Sequence, residues 1–373
     1  MDTTLIDVPR GLANVAVAET AISDVNGAAG YYQYRQYSAV ELARTASFEQ
    51  VWYLLVVGRL PDAAELAVFR ARILAAQNSP ELDRVIDTLR GGVGGASVSP
   101  LAGLKAAWPL VAAARGSRPL YDLADDERLA DAIELAALAP VVLAALHGGR
   151  REVLPERGVV ANYLYQVTGD VPDAEHERAL TAYLIAAMDH GFNASTFTAR
   201  VIASTGADVA SCLAGALGAL SGPLHGGAPA RALDSLDAVG SVDRIESWLR
   251  GELAGGRRIM GFGHAVYRTV DPRSALLKSV ALEFGGPRVE FAVAFEQTAE
   301  RVLAEYRPER PLHANVEFYA AIVMELCGLP REMLTPTFAV ARAVGWTAHV
   351  LEQARDSKII RPSARYVGPE LAR

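Results

Sequence analysis

Apolar residues recur along most of this chain at the three-and-four spacing of a helix with one buried face, and one short stretch breaks that habit. In residues 11–37, Asn26-Gly27 is a hairpin turn signal, preceded by residues 15–22 and followed by Gly30-Tyr31-Tyr32-Gln33-Tyr34, which predicts a small β-hairpin. Ser38-Ala-Val-Glu41, Ser47-Phe-Glu-Gln50 and Asp62-Ala-Ala-Glu65 then read as capping boxes ahead of apolar periodic stretches. The glycine-rich residues 91–100 predict a flexible connection, and helices are expected at about 101–115, 127–147, 155–168 and 176–188. Residues 209–220 are alanine, glycine, serine, leucine and valine around Cys212, small enough for a helix packed tightly among its neighbours.

The pattern changes at Gly222-Pro223, beyond which glycine, proline and charge rise through about residue 270 before helical periodicity resumes. Gly328-Leu329-Pro330 breaks it again ahead of residues 338–353. The expectation is a mainly α protein of two domains: residues 1–222 begin the larger, 223–332 form the smaller, and 333–373 complete the larger.

At 373 residues, 51% hydrophobic and 21% charged, the composition is that of a folded chain long enough for one large or two unequal domains. A formal net charge of −7 argues against a nucleic-acid binder while leaving room for a local basic pocket. Cys212 and Cys327 sit in apolar surroundings and read as buried free thiols. The uncharged run 135–146 contains Pro140 and is too short for a bilayer, so it reads as a buried core helix. The first residues lack the basic-then-apolar pattern of a signal peptide, and a cytoplasmic protein without a membrane partner is expected.

The seven histidines include no His-x-x-x-His pair and no Cys-His cluster, so no metal site is expected. No Gly-x-Ser-x-Gly elbow is present, and Val266 spoils a dinucleotide fingerprint at Gly261-Phe262-Gly263. Two loops instead hold a histidine beside glycines: Gly222-Pro-Leu-His225-Gly-Gly227 and Gly261-Phe-Gly-His264. Downstream, Asp271-Pro272-Arg273 fits a helix start, with the aspartate as cap, proline in the first turn and an arginine favouring anions. Arg342 lies inside an apolar helix, where a charge requires a carboxylate partner from the protein or a ligand. Singly, His190 reads as a hydrogen-bonded core residue, Glu317 as an exposed helix acid and Arg361 as part of a solvated basic tail. Together they suit binding a small polycarboxylate and removing a proton next to a carbonyl.

The motifs that carry this set resemble the citrate synthase family over nearly the whole chain. They run from Gly11-Leu-Ala-Asn-Val through Asp189-His190 to Thr205, Gly222-Pro-Leu-His-Gly-Gly227, Gly261-Phe-Gly-His to Arg273, Asn315-Val-Glu-Phe-Tyr and Arg342-Ala-Val-Gly-Trp, and end at Arg361-Pro. The resemblance implies an α-helical homodimer whose large and small domains close over substrate. It implies condensation of an acyl-CoA thioester with oxaloacetate and hydrolysis of the product thioester, with no cofactor beyond that CoA substrate. Carried over by position, His225 would hold the enol oxygen as a neutral imidazole, His264 would polarise the oxaloacetate carbonyl and Glu317 would be the base. His190, Arg273 and Arg342 would hold the oxaloacetate carboxylates, with Arg361 arriving from the partner subunit. Arg268, Arg307 and Arg310 would meet the CoA phosphates, and the backbone of Ile259, Met260, Gly261, Phe262 and Gly263 its adenine.

Four positions depart from the family pattern: Glu317 for the usual aspartate, Gln36 for a glycine, Ser99-Pro100-Leu101 for a His-Pro-Met-like segment, and His313-Ala314 for a proline before Asn315. The first expectation is citrate synthase with acetyl-CoA, and the second is 2-methylcitrate synthase with propionyl-CoA. The third is a paralogue that binds oxaloacetate or CoA in a regulatory role without turnover.

Overall fold

A computed structural model describes residues 5–371 apart from 93, 95, 150, 151, 224, 227, 265, 268 and 357. Near the start stands a three-stranded antiparallel sheet, β1 (Ser23–Asn26), β2 (Tyr31–Tyr34) and β3 (Tyr37–Ser38), in that order. The first strand therefore lies after residues 15–22, not within them as the sequence predicted. Asn26 causes the shift, because its carbonyl accepts from Gly30 N–H at 2.9 Å and its side chain from Ala29 N–H at 2.8 Å. That closes a longer turn than the two-residue one expected, and the residues able to pair with β2 are those just before Asn26. Ser23 faces Tyr34 and Val25 faces Tyr32 across the ladder, so these four side chains share one face.

Helices occupy most of the remainder: α1 (Ala39–Thr45), α2 (Phe48–Val57), α3 (Ala63–Gln77), α4 (Pro80–Arg90), α5 (Pro100–Arg115), α6 (Asp125–Leu146), α7 (Val159–Thr168) and α8 (Ala174–Ala187). After them come α9 (Ala194–Ala203), α10 (Val209–Leu220), α11 (Ala228–Val239), α12 (Ile245–Ala254), α13 (Pro272–Phe284), α14 (Pro287–Tyr306), α15 (Val316–Leu326) and α16 (Leu334–Gln353). The predicted capping boxes close in full at Ser47–Gln50 and Asp62–Glu65, while Ser38 accepts from Glu41 N–H without the reciprocal bond. The mainly α expectation holds, as does the helix over 209–220 with Asp208 as its cap.

Two helices form the centre. In α6 the residues from Leu135 to Ala145 are buried, packed by α3, α5, α7 and α16, so the apolar run is a core helix. α16 is buried along nearly its whole length and touches α2, α6, α8, α9 and α10. Its one polar stripe, Arg342, Trp346, His349 and Gln353, follows the 3.6-residue period and faces the end of α8 and the start of α9. Gly345 makes that approach possible, because a Cβ there would stand 2.1 Å from the carbonyl oxygen of Met188. Cys212 and Cys327 are buried free thiols. The helices α11 to α15 pack chiefly on one another, with α13 and α15 also meeting α8.

Candidate active site

The site gathers where the end of α8, the starts of α9, α13 and α15, and the middle of α16 meet. Each terminus is shaped by a local rule. Asn193 caps α9, accepting from Ser195 and Thr196 N–H. Asp271 caps α13, accepting from Arg273 N–H, and Asn315 caps α15, accepting from Glu317 N–H. Asp271 also accepts from Val316 N–H at 3.1 Å, so one carboxylate serves two helix starts.

Arg273 is 4% exposed, and its guanidinium grips Asp271 through Nε (3.0 Å) and Nη2 (2.8 Å). Burial alone would raise the Asp271 carboxyl, but Arg273 outweighs it and holds the group below the usual carboxylate range. Nη2 of the same arginine lies 3.1 Å from His264 Nε2. His264 Nδ1 accepts from the N–H groups of Val266 (3.0 Å) and Tyr267 (3.2 Å), which assigns the neutral ring's proton to Nε2. The Arg273 N–H points at this same Nε2, so two donors face each other, and an acceptor oxygen placed between them would satisfy both. His190 completes a set of rings, with its centroid 5.4 Å from those of His264 and Tyr267 and its Nε2 2.9 Å from the Tyr267 hydroxyl.

Arg342 is 2% exposed, and its Nε donates to Ala187 O at 3.0 Å. Its guanidinium has no carboxylate within 4.0 Å among the described residues; Asp189 is the anion that acts on it from farther off. The expected partner carboxylate is thus not a protein contact. Asp189 itself is held by Ser23 Oγ and stands 3.2 Å from His349 Nε2, while His349 Nδ1 lies 3.3 Å from Arg200 Nη1 and Arg200 pairs with Glu352.

His225 Nε2 lies 3.0 Å from Ser195 Oγ, which also receives Trp346 Nε1–H at 3.1 Å and stands 2.7 Å from Asn193 Oδ1. Asn193 Oδ1 can only accept, so the 2.7 Å contact is a bond donated by the Ser195 hydroxyl, and His225 Nε2 and Trp346 Nε1 both meet the oxygen of that hydroxyl. Burial, then Arg342, pulls His225 down to about 4; burial, then Arg273, does the same to His264, also to about 4. Burial with Arg273 and His264 pushes His190 well below its usual value. The lowered values keep all three rings neutral near pH 7. Burial lifts Glu317 to about 7 against the pull of Arg273 and Arg342, and no described residue donates a hydrogen bond to its carboxylate. Arg342 acts on His190, His225 and Glu317, and Arg273 on His190, His264 and Glu317, so the space around these side chains lies in the field of two arginines.

Beside this space opens a cleft of about 550 Å³ lined by Ile259, Met260, Gly261, Phe262, Gly263, Arg307 and Arg310, each anticipated from the sequence. Its floor is fixed by a short antiparallel bridge: Gly263 N–H to His313 O and Asn315 N–H to Gly261 O, both at 2.8 Å. Arg257 and Arg258 also line it and were missed, although Arg257 is already paired with Glu252 at 2.7 Å. Arg268 lies outside the described residues. Arg361 is exposed in an irregular segment and joins no part of this site. Ser195, Trp346 and Tyr267 were also missed as site residues; the Asn193-Ala-Ser195 cap was the one local signal for any of them.

The arrangement offers two neutral imidazole donors, a buried carboxylate of raised pKa and two guanidiniums above an open cationic cleft. That is equipment for anion binding and for proton removal beside a carbonyl. The family model described as citrate synthase, C-terminal domain, matches residues 11–363. A citrate synthase of Haloferax volcanii is 39% identical, covering 97% of this chain and 96% of its own, and a 2-methylcitrate synthase of Shewanella oneidensis is 34% identical, covering 96% and 94%. The structure also matches that of a Thermoplasma acidophilum citrate synthase in ternary complex with carboxymethyl coenzyme A and oxaloacetate, with TM-score 0.89, 28% identity and 98% of each chain covered. Site, fold and sequence agree, and the chain belongs to the citrate synthase family.

Proposed function

We propose that this enzyme condenses acetyl-CoA with oxaloacetate and hydrolyses the citryl-CoA thioester to citrate and CoA. One observation carries the reading: Arg342 is buried with no carboxylate in contact among the described residues, beside a second place where His264 and Arg273 bring N–H groups together. A small keto dicarboxylate supplies what both places need. One carboxylate meets Arg342, and the keto oxygen takes the proton-bearing Nε2 of His264.

Glu317 takes the proton from the carbon next to the thioester carbonyl, and the neutral His225 imidazole donates a hydrogen bond to the oxygen charge that develops. A neutral donor suits this step because its proton is not lost to the enolate's surroundings beforehand. The enol carbon then bonds to the carbonyl carbon of oxaloacetate, whose oxygen draws on the His264 N–H. Water attacks the thioester, the carbon–sulfur bond breaks, and the CoA thiol leaves. The cationic cleft at 257–263 and 307–310 holds the nucleotide end. The chain is proposed to act as a homodimer, with Arg361 serving the neighbouring site and residues 223–332 closing on the rest to exclude water.

The Shewanella relative supports a second reading, in which propionyl-CoA is the donor. One methyl group separates the two substrates, worth roughly 10- to 200-fold in a fitted pocket. Thiol release with oxaloacetate and either thioester decides: faster turnover per KM with acetyl-CoA is expected. Preference for propionyl-CoA would replace the reading, and oxaloacetate binding without thiol release would indicate a regulatory binder.

A further inference from the structure

The β1–β2 hairpin surrounds His190. Its shared face presents Ser23, Val25, Tyr32 and Tyr34. Ser23 Oγ donates to the Asp189 carboxylate, and the Tyr34 hydroxyl lies 2.8 Å from Ile185 O, 3.0 Å from Asp189 O and 3.2 Å from Asp189 N. The Tyr32 hydroxyl donates to Ala186 O at 3.2 Å, and its ring stands edge-on to His190 with centroids 5.5 Å apart. A Cβ on Gly191 would lie 3.5 Å from Val25 Cγ2. The carbonyls at the end of α8 thus accept from two hairpin tyrosines, Ile185 O beside its bond from Met188 N–H, and at Ala187 from Arg342.

The far end of the same hairpin rests on the loop that follows His264. A Cβ on Gly27 would stand 2.3 Å from Val266 O, and one on Gly30 would stand 2.9 Å from Thr269 Oγ1. Val266 supplies one of the two N–H groups that assign the His264 tautomer. Tyr267, next in that loop, meets His190 with its hydroxyl.

We propose that the β1–β2 hairpin is the positioning element of the keto-acid site: its face fixes His190, its turn seats the His264 loop, and both histidines are registered to one template. The inference rests on the oxaloacetate reading above. Gly27, Tyr32 and Tyr34 are positioning residues here and touch no substrate.

Two variants of the full-length enzyme test it. In Gly27→Ala the new methyl must displace the Val266 carbonyl by roughly 1 Å, a shift able to weaken a catalytic constellation about a hundredfold. The expected result is at least a tenfold rise in the oxaloacetate KM and in its calorimetric Kd, with the acetyl-CoA KM within about twofold and the fold intact. Tyr32→Phe removes one oxygen atom and is expected to raise the same two oxaloacetate constants about threefold to tenfold. Loss of kcat alone, tracking a fall in folded fraction with both oxaloacetate constants unchanged, would overturn the proposal. So would wild-type oxaloacetate affinity in Tyr32→Phe if Gly27→Ala does not fold. Wild-type enzyme that does not bind oxaloacetate would instead overturn the functional reading, and the proposal with it.

Discussion

Arg273 and Arg342 are almost wholly buried, whereas Arg258, Arg307 and Arg310 stand exposed around the neighbouring cleft. The two groups carry the same charge and, in the function proposed above, serve opposite ends of one reaction. In the buried pole each cation sits in a fixed position, Arg273 by two bonds to Asp271 and Arg342 by its bond to Ala187 O. Desolvation there raises the value of every contact and the penalty for every loss. In the open cleft, water and salt screen each cation and its neighbours can substitute for it. Under that proposal, burial gives precision at the reacting atoms and exposure gives tolerance at the nucleotide end.

The comparison breaks first at Glu317. Glu317→Gln is expected to lower kcat by about a thousandfold or more while oxaloacetate affinity stays within a few-fold, read by thiol release and calorimetry. Its stability should move the other way. A carboxyl whose folded pKa is raised from 4.5 to about 7 is stabilising while protonated, and that benefit, full below 4.5, is lost as pH rises through 7. Thermal unfolding should therefore show the Glu317→Gln variant ahead of wild type at pH 8, by up to about 3 kcal/mol, and level with it near pH 4. Next, Arg342→Leu is expected to raise the oxaloacetate KM about a hundredfold and leave the acyl-CoA KM nearly unchanged in steady-state kinetics. Equal damage to both would erase the division between the poles.

Ser195→Ala leaves Trp346 Nε1 and His225 Nε2 without their shared partner, and about a tenfold to hundredfold loss of kcat is expected. The pH profile sharpens the same point. kcat/KM should climb up to tenfold per unit below about 7 as Glu317 ionises, with no histidine limb until near 4, where His225 and His264 charge. Smallest of all, Arg258→Ala should raise the acyl-CoA KM only about twofold to fivefold, and less at high salt.

The contrast also explains what could be read in advance. Asp271-Pro272-Arg273 announced a capped helix start because all its determinants lie within one turn. The cleft residues at 259–263 came only with the family resemblance that a contiguous motif carries, while the demand for an anion at Arg342 followed from a charge in an apolar helix. Ser195 with Trp346, Tyr32 with Ala186 and Arg200 with His349 did not announce themselves, since each pair is separated by about 150 residues and no local spacing marks it. The misplaced first strand has the same origin. Residues 15–22 have the more strand-like composition, yet the strand goes to Ser23–Asn26, where Ser23 and Val25 find Tyr34 and Tyr32 across the ladder.

The central position of α16 has a consequence for how the chain is made. Residues 334–353 emerge from the ribosome after every helix they pack against, at roughly 5–20 residues per second. Until they emerge, α6 lacks the part of its cover that α16 supplies, and Arg342 is absent from the pocket. The contacts that α16 makes with α2, α6, α8, α9 and α10 can therefore form only after residues 334–353 have been made.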